Sequence, residues 1–155
     1  MTSSGQSGDS TSAARRIGDA GSAVSLIPFV TFAVVLLIAG GHSVWSDVLV
    51  DGFKTWSVLS LSFVAGIRWG VFLRTGPAGT LTFVFATIPV VIGWAALFVT
   101  DITGIGVLLL VHCAAGAWDS FSARRGEAPD WYAGMRIVWT LVVAVTHIAV
   151  FAAIY

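Results

Sequence analysis

The ionisable side chains that fall inside long apolar stretches are what this sequence offers for chemistry. They are Arg68, His112, Asp119, Arg136 and His147, with the hydroxyl of Thr140 beside them. A permanent charge such as Arg68 held within hydrocarbon costs at least a few kcal/mol unless something answers it. His112 and Asp119 are seven residues apart and so share a helical face, with Gly116 between them for close approach. Arg136, Thr140 and His147 fall within about 40° of one another at about 100° per residue, which makes a second polar stripe.

Counting about 1.5 Å per residue from the cytoplasmic ends of the spans puts Arg68 roughly 9 Å deep, Arg136 about 7 Å deep and Asp119 near the surface. These heights predict a cluster of Arg68, Asp119 and Arg136 on the cytoplasmic side. Its surplus cation would be balanced by Glu127, by Asp130, by a bound anion, or by one arginine snorkelling to the lipid surface. An ion-pair clamp that fixes helix register is the simplest use of such a cluster, and an anion site is the functional one. His112 and His147 invite a second reading, bis-histidine haem ligation, which needs two imidazoles at one depth on facing helices. Measured from the outer ends the two agree within a few ångströms, but from the cytoplasmic ends they differ by about 12 Å. No cofactor is therefore expected, and haem remains the less favoured alternative to an imidazole bonded to a neighbouring hydroxyl or carbonyl. His42 is expected in solvent at the outer interface.

The elements that must position these residues are transmembrane helices. Of the 155 residues, 57% are hydrophobic and only 10% charged, and the mean hydropathy is +0.91, well outside the soluble globular range. Eight basic and eight acidic residues cancel, so no global charge points to nucleic acid. The fold class is all-α: a five-span helical bundle with spans at about 23–40, 56–74, 80–99, 103–120 and 131–155, each long enough to cross hydrocarbon. Arg15, Arg16, Arg74, Arg124 and Arg125 fall on one side of these spans and Lys54 on the other, which sets the N-terminus in the cytoplasm and the C-terminus outside.

Residues 1–22 are rich in Ser, Gly and Thr and are expected to form a flexible cytoplasmic tail ahead of the 23–155 domain. The Arg15-Arg16 pair suggests an export signal, but Gly18, Asp19 and Gly21 stand where such a signal is apolar, so an uncleaved anchor is expected. Between the first two spans, Val44, Trp45, Val48, Leu49 and Phe53 share one stripe while Asp47 and Asp51 share another, as in a short helix lying in the outer interface. Trp45, Trp56, Trp118, Trp131 and Tyr132 are placed as interfacial anchors. Pro89 should kink the third span and leave a carbonyl near Phe85 for another group to satisfy. Gly66 and Gly70 lie opposite Arg68 and offer a surface for helix packing.

Catalytic patterns are missing: there is no HExxH, GxSxG or P-loop, and no pair of aspartates within spans. Cys113 is the single cysteine, and it points about 100° away from its neighbour His112, so the two make no dyad and no internal disulfide is available. No metal site is expected.

The stretch Leu61-Ser62-Phe63-Val64-Ala65-Gly66-Ile67-Arg68-Trp69-Gly70, followed by Pro129-Asp130-Trp131-Tyr132, Arg136 and Thr140, resembles a small membrane family of unknown function. That family occurs in proteobacteria and includes the mitochondrial transmembrane protein 69. The resemblance covers about residues 23–155 and implies a multi-pass helical bundle in a bacterial inner membrane. Members often carry His at the position of Arg68, and no catalytic residue transfers. The sequence thus favours a non-enzyme, an accessory or assembly factor that meets the lipid bilayer and a membrane-protein partner or a second copy of itself. The alternative is a bundle that binds or conducts a quinone, haem or small anion at the Arg/Asp/His cluster.

Overall fold

Within hydrocarbon, backbone N–H and C=O groups must be satisfied inside their own segment, so long apolar runs close on themselves as helices. The computed structural model describes residues 4–39, 43–75, 80–126 and 130–155. Its elements are helices α1 (Ser4–Ala39), α2 (Ser46–Thr75), α3 (Thr80–Ala95), α4 (Asp101–Arg124) and α5 (Asp130–Ile154), with a 3-10 turn at Ala96–Phe98. Four of them are long and apolar enough to cross a membrane. The third is a shorter apolar helix.

The helices close a ring in which each sequence neighbour packs on the next and α5 returns to α1. α2 also crosses the ring to touch α4, so it packs against α1, α3 and α4. One apolar cluster joins Phe29 and Leu36 of α1, Phe53 of α2, Ile105 of α4, and Trp139 and Val143 of α5. A second joins Leu61 of α2 to Leu108, Val111 and Ala115 of α4. At the C-terminus of α4 the chain turns through Gly126, whose φ of 78° belongs to the left-handed region, and its N–H donates to the Ala123 carbonyl at 3.0 Å. A glycine at this position ends a helix without a Cβ clash.

Two segments differ from expectation. Residues 44–56 do not form a separate interfacial helix, because α2 runs unbroken from Ser46. Val50 and Phe53 are buried in the bundle, so this segment packs inward as the first turns of α2, while Val44, Trp45 and Val48 remain exposed. Helical backbone also begins at Ser4, across the stretch expected as a tail. Ala13, Ala14 and Arg15 are good helix formers that extend a helix already nucleated by its packed part, and an Arg15–Asp19 pair at 3.7 Å bridges successive turns.

Two of the tryptophans expected as anchors also make contacts within the bundle. Trp56 donates from Nε1 to the Ser25 carbonyl at 3.2 Å, tying α2 to α1. Trp118 stacks on Phe85 with ring centroids 3.8 Å apart, and its Nε1 is buried. His42, Glu127 and the side chains of Arg74 and Asp130 lie outside the described residues.

Candidate functional site

Arg68, Asp119 and Arg136 meet in the centre of the bundle, each 5% exposed or less. Arg68 donates from Nε to Asp119 Oδ1 at 2.8 Å, and Arg136 donates from Nε to Oδ2 at 2.5 Å. One carboxylate thus ties α2, α4 and α5 together. Asp119 was expected near the surface; α4 continues past it to Arg124, which carries the carboxylate inward. The remaining nitrogens of Arg68 go to backbone, Nη2 to the Ala115 carbonyl at 2.6 Å and Nη1 to the Phe85 carbonyl at 3.0 Å. Phe85 stands four residues before Pro89, whose ring nitrogen has no proton for that carbonyl, so the vacancy left by the proline is filled by a guanidinium.

Arg136 is less completely served. Its guanidinium carbon lies 4.4 Å from the centre of the Trp139 ring, a cation–π contact. Its Nη2 is buried without an acceptor among the described residues. Among those residues no second carboxylate reaches the cluster, so it carries two formal positive charges against one negative.

The histidines form a separate group nearer the N-terminal end of α2. Their rings lie 5.4 Å apart and both Nε2 atoms converge on Ser57 Oγ, at 2.9 Å for His112 and 3.0 Å for His147. With both imidazoles neutral the protons can be assigned. His147 Nδ1 faces the Val143 carbonyl at 2.8 Å, which only accepts, so Nδ1 carries the proton and Nε2 is the acceptor. Ser57 gives its single proton to His147 and accepts from His112 Nε2–H. That leaves His112 Nδ1 as a buried lone pair with no donor among the described residues. The chain therefore has one direction, from α4 through α2 to α5. The rings of Phe29, Phe53 and Trp139 enclose it. A serine hydroxyl beside an imidazole has the spacing of a nucleophile and its base. Ser57 is fully buried, with both imidazoles and the surrounding rings packed over it.

Thr140 joins neither group. Its hydroxyl donates to the Arg136 carbonyl at 2.8 Å, and its side chain presses on Gly116, where an added Cβ would overlap it. Gly116 thus sets the close approach of α4 and α5. Gly66 and Gly70 behave in the opposite way: an added Cβ at either meets nothing within 4 Å, and both are exposed. They form a GxxxG lane on the outside of α2, flanked by the exposed Phe63 and Ile67.

Sequence reasoning missed two members of this polar system, Ser57 and Lys54. Lys54, read as an outer-side cation, is 2% exposed and reaches Asp101 at 3.0 Å and the Val99 carbonyl at 3.4 Å. The signal was available: Lys54, Ser57, Leu61 and Arg68 fall on one face of a single helix, the kind of stripe recognised on α4 and α5.

Beside Arg136, between α1, α2 and α5, lies a cavity of about 320 Å³. Its walls include Ser22, Ser60, Phe63, Ile67, Tyr132 and Trp139.

A protein-family profile matches residues 14–152, nearly the whole chain. The chain belongs to the family described as Protein of unknown function (DUF3429). Neither the comparison with curated proteins nor that with solved structures returned a match. The family description supplies no reaction, ligand or partner, so the site has to be read from its own geometry.

Proposed function

We propose that this protein is a non-catalytic accessory or assembly factor that docks a partner helix inside a bacterial inner membrane. The observation that carries this reading is the Gly66/Gly70 lane. In hydrocarbon there is no hydrophobic drive between helices, and small residues promote association by letting backbones approach closely. Gly116 already serves that purpose within the chain, whereas a Cβ added at Gly66 or Gly70 meets nothing within 4 Å among the described residues. The buried polar groups support the same reading: Asp119 has both oxygens engaged by arginines, and Ser57 and its two histidines bond to one another. Those interactions hold the helices in register. Haem is a poor fit at the histidines, because their Nε2 atoms share a hydroxyl and aromatic rings fill the space a macrocycle would need.

In this reading all five helices cross the membrane, α3 included, with the N-terminus in the cytoplasm and the C-terminus outside. The arginines near the helix ends support that orientation. The motifs around Arg68 and Trp131 further support kinship with the group that includes mitochondrial transmembrane protein 69.

The test is co-purification from native membranes in mild detergent, comparing wild type with Gly66→Leu and Gly70→Leu. Loss of a stoichiometric partner, or of a dimer of this chain, from variants whose melting is unchanged supports docking at the lane. Equal recovery with wild type and both variants removes the lane from the interface.

A further inference from the structure

We infer that the cavity between α1, α2 and α5 binds the acidic head of a single-chain lipid, with Arg136 as its anion-binding group. The inference begins with charge. Two arginines share one carboxylate, and a buried surplus cation is costly unless paired. Arg136 lines the cavity, and its Nη2 is the guanidinium nitrogen without an acceptor among the described residues. A carboxylate or phosphate oxygen in the cavity would accept from this guanidinium and offset the surplus charge.

The rest of the cavity fits an amphiphile. Ser22, Ser60 and Tyr132 stand on its walls with Arg136, while Phe63, Ile67 and Trp139 provide apolar surface for a chain. Ser22 donates to the sulfur of Met135 at 3.1 Å, a weak acceptor that an anionic oxygen would readily replace. Phe63 is 70% exposed and Leu59 55% exposed, so the α2 rim faces outward, where an acyl chain enters sideways from the bilayer. At about 320 Å³ the cavity lies at the lower end of small-molecule sites, which suits one chain better than two. A neutral quinone head would occupy the same volume and leave the surplus charge in place. The site needs no partner protein, so it stands or falls separately from the Gly66/Gly70 lane.

The experiment is native mass spectrometry of the purified full chain released from detergent, titrated with four probes. Oleate and lysophosphatidylglycerol carry the acidic head on a carboxylate and a phosphate respectively, and methyl oleate and monoolein are their uncharged counterparts. One bound equivalent is expected for an acidic probe, with the uncharged probes at least tenfold weaker; the order of the two acidic probes identifies the head group. Arg136→Gln should lose at least tenfold in affinity for the acidic probe. Gly21 lines the cavity and an added Cβ there meets nothing within 4 Å, so Gly21→Phe should block the cavity while melting stays near wild type. Ile67→Trp narrows it from α2 with the same expected loss. Equal binding of charged and uncharged probes overturns the inference, as does undiminished acidic-probe binding by both plugged variants. If Arg136→Gln does not fold, the plugged variants decide.

Discussion

The half of the bundle around Ser57 and the half around Arg136, outer and inner in the proposed orientation, solve the same problem, polar groups in an apolar core, with different balances of charge. In the outer half Lys54 meets Asp101 one to one, and the neutral Ser57 trio is enclosed by aromatic rings with only the His112 Nδ1 lone pair lacking a donor among the described residues. In the inner half one carboxylate serves two arginines, one guanidinium nitrogen lacks an acceptor, and a cavity lies alongside. A charge-balanced polar network specifies which helices meet and in what register, and draws in no counter-ion. An unbalanced one holds the helices equally well and keeps binding capacity in reserve.

Asp119→Ala is the severest way to break the inner half. It leaves two buried guanidiniums without their carboxylate, and a loss of about 3–5 kcal/mol is expected. A fall in detergent melting temperature, or failure to accumulate in the membrane, is the readout; a loss under about 1 kcal/mol would mean that the cluster does not hold the helices. Ser57→Ala attacks the outer half by removing the shared partner of both Nε2 atoms. At about 1–3 kcal/mol for each of the two unsatisfied groups, denaturant titration should register a loss of roughly 2–6 kcal/mol, comparable with that of Asp119→Ala. Gly116→Ala forces a methyl group into Thr140 and should cost about 1–3 kcal/mol by overpacking, measured by the same titration.

Lys54→Met sharpens the contrast from the mild side. Asp101 keeps 44% of its side chain exposed and can return to water, so stability should move by only about 1 kcal/mol or less in thermal melting. A loss above about 2 kcal/mol would show that the outer half also depends on charge. Smallest of all, Gly66→Ala and Gly70→Ala should leave the isolated chain within about 0.5 kcal/mol of wild type, since neither methyl meets a neighbour. A larger loss from either would place the lane inside the fold.

Much of this arrangement was legible in the residues. The meeting of Arg68, Asp119 and Arg136 follows from helical periodicity and approximate depth, because unpaired charge in an apolar bundle leaves few alternatives. The link from Pro89 through the Phe85 carbonyl to Arg68 was half visible: the proline announced a carbonyl in need of a donor but did not name it. The common depth of His112 and His147 was ambiguous because it depended on which helix end served as origin, and Ser57, which joins them, was hidden among the other serines of α2. Lys54 was misplaced for a simpler reason. The span was drawn to start at Trp56, ten residues after α2 begins, and a cation just outside a span reads as solvated. Packing of Val50 and Phe53 decided otherwise, and hydropathy alone does not report packing.

The shortness of α3 bears on the lipids around the protein. With its 3-10 extension it reaches roughly 30 Å, about the thickness of a bilayer's hydrocarbon slab, whereas its neighbour α2 at 30 residues reaches roughly 45 Å. One helix would stand upright with no slack while the other must lean or overhang. The protein would then present lipids with an uneven girdle, narrowest beside α3, and acyl chains on that flank would have to shorten or disorder to match it.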